Sequence, residues 1–138
     1  MNSPIATLVR RYFSAYETRD RRILEDLLDE RFTFSSPLDD RINRAAYFAR
    51  CWPNSRTLRR FTVEKVFDQG GEAFIRYEAE SITGKKFRNT EWWRFEGGKL
   101  MEVQVYFGRD TRPAMPVPSR SSAARMDDWP ATAALFPR

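Results

Sequence analysis

Apolar side chains recur at Ile5, Leu8, Val9, Tyr12, Phe13 and Tyr16, a spacing of three and four that lays one stripe along a helix. Ser3 and Pro4 mark its start: a hydroxyl that can cap the first turn, then a proline whose missing N–H would have no partner there anyway. Thr18 to Asp20 interrupts the stripe. Asp20 can cap a second, shorter helix with Ile23, Leu24, Leu27 and Leu28 turned inward. At Arg31 to Ser35 the period drops to two, with Phe32 and Phe34 on one side, so a short strand is expected that leads past Ser36 and Pro37 into a loop over 38–42. Asn43 is a plausible cap for a third helix, with Tyr47, Phe48 and Cys51 inward and Trp52 at its end, before Pro53 stops it.

From Leu58 onward the pattern is strand, turn, strand, repeated. Phe61, Val63 and Phe67 mark the first long strand, which closes at Gly70 and Gly71. Ala73, Ile75, Tyr77 and Ala79 then alternate with Arg76, Glu78 and Glu80, and Thr83 with Gly84 turns the chain again. The stretch 88–108, RNTEWWRFEGGKLMEVQVYFG, supplies two more strands joined at Gly97 and Gly98, the second carrying Met101, Val103, Val105 and Phe107. Helices followed by a meandering antiparallel sheet with one greasy face make an α+β layout, three N-terminal helices covering a curved sheet.

Register decides which way Glu91 points. A strict two-residue turn at Gly97 and Gly98 sets Glu91 against Gln104 on the polar face. A three-residue turn with a glycine bulge sets Glu91 and Trp93 with Val103 and Met101. The bulged version is expected, because it turns Phe87, Trp93 and Phe95 inward instead of Arg88, Thr90 and Arg94. Glu91 then sits in an aromatic row beside Asn89, either held neutral for chemistry or paired with Arg76, Arg88 or Tyr77 as a structural acid. Asn89 could bond a ligand or a buried neighbour. Trp92 and Trp93 point to opposite faces, the outward one being a candidate dimer anchor.

Composition adds exclusions. The 138 residues suit one domain over 1–108, followed by an irregular tail over 109–138 with five prolines, where Trp129 and Phe136 could dock. The net charge of +5 is spread in short arginine pairs without a groove-reading motif, so nucleic-acid binding is not expected. A single cysteine, Cys51, fits a reducing cytoplasm and behaves as a small buried hydrophobe; no secretion signal or membrane-spanning run is evident. Without histidine there is no imidazole for catalysis or for a metal site, so proton transfer falls to Asp, Glu, Tyr, Lys or Cys.

Layout and residues together resemble the nuclear transport factor 2-like superfamily, particularly its SnoaL-like polyketide cyclase and ketosteroid isomerase branches. The resemblance runs from about Leu8 to Gly108 and is carried by VRRYFSAYETRD, the SSPLDD loop and WWRFEGGKLMEVQVYFG. It implies a conical α+β barrel, a pocket between sheet and helices for a small apolar molecule, and a homodimer through the outer face of the sheet. It implies further that Tyr12 donates to a substrate oxyanion beside Glu91, a protonated acid standing where the isomerases carry aspartate. Two such donors aimed at one oxygen make an oxyanion hole. The isomerase base falls on Ser36, which cannot serve at neutral pH, so Asp39 or Asp40 is the remaining candidate. The implied pocket would be lined by Tyr16, Ser36, Trp52, Tyr77, Asn89, Trp93, Val105 and Phe107, with no cofactor and no metal. Two functions are expected from this: a cofactor-free isomerase, cyclase or dehydratase acting on an apolar carbonyl compound, or a ligand-binding or dimeric assembly module of the same fold.

Overall fold

The structure is a computed structural model, and it describes residues 4–111. Helix α1, Pro4–Thr18, buries Val9, Tyr12, Phe13, Ala15 and Tyr16, the stripe expected from its spacing. It ends at Arg19, in the left-handed region with φ 57°, where the Asp20 N–H returns to the Ala15 carbonyl at 2.9 Å. Asp20 caps α2, Arg21–Leu27, its carboxylate accepting from the Arg22 N–H. The chain passes directly into strand β1, Leu28–Ser36, so Leu28 begins a strand instead of ending a helix.

The segment expected as loop 38–42 is largely strand. Ser36 pairs with Asp39 across a tight turn, and β2, Asp39–Asn43, folds back on β1. Its short, mostly charged sequence has no alternation to reveal it, as is common for an edge strand. Helix α3, Arg44–Arg50, turns Tyr47 and Phe48 inward and is capped by Asn43, whose Oδ1 accepts from the Ala46 N–H at 2.9 Å. Replacing that acceptor in Asn43→Ala is expected to cost about 1 kcal/mol of stability, read as a lowered urea midpoint at unchanged slope. A single 3-10 turn, Trp52–Arg56, containing Pro53, leads into the sheet.

The remaining strands are β3, Leu58–Gln69; β4, Glu72–Ser81; β5, Lys86–Glu96; and β6, Lys99–Asp110. The six strands lie in the order β2-β1-β6-β5-β4-β3, antiparallel except that β1 runs parallel to β6. The sheet does not close: β2 and β3 are its two edges, so the barrel implied by the resemblance is an open, curved sheet here. Its inner face packs on the helices through rings, with Phe13 among Phe61, Tyr77 and Trp93 at centroid distances of 4.9, 4.7 and 5.9 Å.

Two bulges set which residues face inward. In β3 the register shifts between Val63 and Lys65, after which Val66 meets Ile75 and Phe67 pairs outward with Phe74. Phe67, grouped by alternation with Phe61 and Val63, is therefore 69% exposed. At the β5–β6 hairpin Gly97 and Gly98 form the strict two-residue turn, with Glu96 opposite Lys99 and Phe95 opposite Leu100. The extra residue is Met101, one step into the strand, and it sets Glu91 against Val105 and Trp93 against Val103, two residues further along β6 than the expected Val103 and Met101. The expected face is inward and the expected bulge exists, but outside the turn; Leu100 and Met101 are consequently both buried. The tail docking expected of Trp129 and Phe136 lies outside the described residues.

Candidate functional site

The alternation of β5 carries Phe87, Asn89, Glu91, Trp93 and Phe95 to the inner face, all buried. Glu91 is 0% exposed, between Ile75 of β4 and Val105 of β6. An isolated carboxylate in such a place would carry a large desolvation cost, and this one is met on both oxygens. The Tyr77 hydroxyl donates to Oε2 at 2.5 Å, and the Trp93 indole N–H donates to Oε1 at 2.7 Å. Burial pushes the Glu91 carboxyl up from the usual range to about 7, while those two bonds pull against it. Arg76 and Arg88 play no part, because both pair with Glu64 on the outer face, at 3.2 and 2.6 Å.

Behind Tyr77 stands Asn89. Its Nδ2 donates to the Tyr77 oxygen at 3.2 Å, and its Oδ1 accepts from the Gly108 N–H at 3.1 Å. In front of Trp93 is a row of hydroxyls joining α1 to α3. Tyr47 Oη lies 2.6 Å from both Tyr12 Oη and Tyr16 Oη, and the Tyr12 ring meets Trp93 edge-on at 4.6 Å. Burial drives Tyr12, Tyr16, Tyr47 and Tyr77 well above the ordinary phenol value, so at neutral pH they are hydroxyls that donate and accept, not phenolate bases. Tyr12 thus stands one ring away from Glu91, packed on the Trp93 indole whose N–H bonds the carboxyl.

The loop acids stand apart from each other. The Asp39 side chain is wholly buried at the β1–β2 turn, its Oδ1 2.6 Å from the Arg50 guanidinium and its Oδ2 accepting from Ser36 Oγ at 3.3 Å. Asp40, its neighbour along the strand, points to solvent. Among the other residues expected to line a pocket, Tyr16 and Val105 are buried, while Ser36, Trp52 and Phe107 are half-buried, Trp52 standing 5.0 Å from the Tyr16 ring. The structure thus brings Tyr77, Asn89, Glu91 and Trp93 into one bonded group, with Tyr12 against Trp93 and Tyr16 joined to Tyr12 through Tyr47. Asp40 is left outside. Sequence reasoning did not single out Tyr47 or Arg50, although a phenol at an inward position of α3 was a usable signal for Tyr47.

Among the described residues no three acids or thiols converge as a metal-binding group, and no helix is long and apolar enough to cross a membrane. The family model described as SnoaL-like domain matches residues 9–103. No curated protein matches the sequence. Among solved structures, an NTF2-like protein of unknown function from Cytophaga hutchinsonii is 22% identical over 78% of this chain and 91% of its own, with a TM-score of 0.62. A Kribbella flavida protein described provisionally as a ketosteroid isomerase is 19% identical, covering 94% of this chain and 93% of its own, with a TM-score of 0.63. An LEH-like epoxide hydrolase from M. tuberculosis is 12% identical over 73% of this chain and 76% of its own, also at 0.63. At these identities the likeness is one of fold.

Proposed function

Since the chain belongs to the SnoaL-like domain family, we propose that it moves a proton on a small apolar carbonyl compound held between sheet and helices, as a cofactor-free isomerase, cyclase or dehydratase. The observation that carries this reading is Glu91: a wholly buried carboxyl, raised to about 7 and bonded by Trp93, against whose ring Tyr12 packs. A group poised near neutral pH can take a proton and return it, as an isomerisation requires. Each of its oxygens keeps a lone pair beyond the one given to Tyr77 or Trp93. Glu91 removes a proton from the carbon next to the carbonyl, the electron pair moves to the carbonyl oxygen, and the Tyr12 hydroxyl donates to that developing oxyanion. The proton then returns from Glu91 to another carbon. The proton-moving role expected of the loop acids falls on Glu91 because Asp40 faces solvent and Asp39 is held by Arg50 and Ser36.

Thermal-shift screening of cyclic ketones and carboxylates identifies the ligand, because binding to the folded state alone raises the melting temperature. On a substrate so found, Glu91→Gln is expected to lower turnover on the order of 10²–10⁴-fold. A folded Glu91→Gln protein that turns over unchanged removes Glu91 from the mechanism. A second reading, an assembly or binding module located in the cytoplasm, is favoured by one observation: the polar groups of the site are met within the protein, Glu91 by Tyr77 and Trp93, and the hydroxyls of Tyr12 and Tyr16 by Tyr47. Its surface would be the outer sheet face, where Phe67 pairs with Phe74 and Phe74 with Trp92, and where Phe74 and Tyr106 are 53% and 54% exposed. A second copy of the chain is the partner that face suits, and sedimentation at varied concentration decides it.

A further inference from the structure

We propose that Asn89 is a positioning residue: held by the Gly108 main-chain N–H, it sets the direction of the Tyr77 hydroxyl and thereby makes both oxygens of Glu91 acceptors. Donor and acceptor chemistry fixes these directions. A main-chain N–H can only donate, so the atom of the Asn89 amide that faces Gly108, at 3.1 Å, is its oxygen. The other end of the amide is then its NH2, and it faces the Tyr77 oxygen at 3.2 Å. Having received that bond, the Tyr77 hydroxyl points its own hydrogen at Glu91 Oε2, 2.5 Å away. At the far side of the carboxyl the indole N–H of Trp93 likewise can only donate. Two donors that cannot reverse, one at each end, therefore orient every hydrogen between them.

The local geometry that supplies the first donor is a built feature. Between Phe87 and Asn89 the pairing of β5 with β6 shifts register, and Gly108 lies so close to Arg88 that a Cβ there would stand 1.8 Å from the Arg88 carbonyl oxygen. That approach presents the Gly108 N–H to the Asn89 side chain. Linked hydrogen bonds polarise one another, so the bond from Asn89 makes Tyr77 a stronger donor and a poorer acceptor. Both effects favour the carboxylate over the acid at Glu91, opposing the burial that favours the acid. The groups that face Glu91 are Tyr77 from β4, Trp93 from its own strand, and Tyr12 and Tyr16 of α1, which it influences electrostatically. All of these are uncharged at neutral pH. The inference concerns the charge of Glu91 and stands whether or not the site turns over a substrate.

The test is a carbon-13 titration of the Glu91 carboxyl in the full chain, its signal assigned by its loss in Glu91→Gln. Asn89→Leu, near in size but without a donor, is expected to raise the titration midpoint by about half a pH unit. Tyr77→Phe raises it further, and in that background Asn89→Leu adds nothing, because Asn89 acts only through the Tyr77 hydroxyl. Asn89→Ala carries the same expectation if leucine prevents folding. An unmoved midpoint in the single variant overturns the proposal. So does an equal shift with and without the Tyr77 hydroxyl, which would mark a general effect of packing.

Discussion

Between about pH 4.5 and pH 8 the protein is expected to lose about 3 kcal/mol of folding stability, and Glu91→Gln to lose almost none over the same range. The sign follows from the direction of the Glu91 shift. Its carboxyl is raised in the folded chain to about 7, against 4.5 for the group in its ordinary state. Below the lower value both folded and unfolded chains hold the proton, and the stability is fully present. Through the window the unfolded chain gives up its proton first, and stability falls until the folded carboxyl also ionises near 7. No histidine is present to titrate there, and the buried tyrosines are displaced further above the window. Asp29 and Glu64 are lowered, chiefly by hydrogen bonds from Arg31 and Arg88, so their contributions are lost in acid as pH falls through their folded values. Glutamine is uncharged across the range, but it differs from the protonated acid, whose Oε2 still accepts from Tyr77: its oxygen accepts from Trp93 and its NH2 turns to Tyr77, leaving the Tyr77 hydrogen without its acceptor at a cost of about 1 kcal/mol. The two stability curves should therefore cross, the native chain ahead in acid and the variant ahead at pH 8. Urea midpoints taken across the range check this, and parallel curves would rule out Glu91 as the source.

What could be read from the residues alone follows from how local each signal is. The inward Glu91 was legible because period-two alternation in β5 is a property of neighbouring residues, and Phe87, Trp93 and Phe95 left one sensible face. Phe67 was misplaced because the bulge at Val63 to Lys65 inserts a residue without any glycine or proline to announce it. β2 was missed for a different reason: an edge strand of charged residues shows neither period, and only its pairing with β1 makes it a strand. The Tyr12–Tyr47–Tyr16 row joins helices 31 and 35 residues apart, and the Asp39–Arg50 pair joins a strand to the end of a helix. Such contacts depend on how elements dock, which no local pattern encodes. The same holds for the partner of Glu91: three candidates were in view from sequence, and only the registers of β4 on β5 and of β3 on β4 separate Tyr77 from the two arginines.

Gly108→Ala is expected to be the most damaging single methyl in the β5–β6 hairpin, at about 3 kcal/mol or more, out of a total stability of roughly 5–15 kcal/mol for a domain of this kind. The contact is with backbone: an ideal Cβ would lie 1.8 Å from the Arg88 carbonyl oxygen and 2.7 Å from its carbon, so a strand has to move rather than a side chain. The strand that moves also carries Asn89, and separating β5 from β6 there withdraws the Gly108 N–H from the Asn89 oxygen. Gly97→Ala is the control. That glycine has nothing within 4 Å of its Cβ position and a φ of 56°, so alanine there meets only backbone strain, about 1–2 kcal/mol. Denaturant unfolding of the two variants should separate them, with Gly108→Ala the lower and its Glu91 titration displaced as well. Equal losses at the two glycines would mean that β5 and β6 can part at the bulge without cost, and that the close approach at Arg88 holds nothing in place.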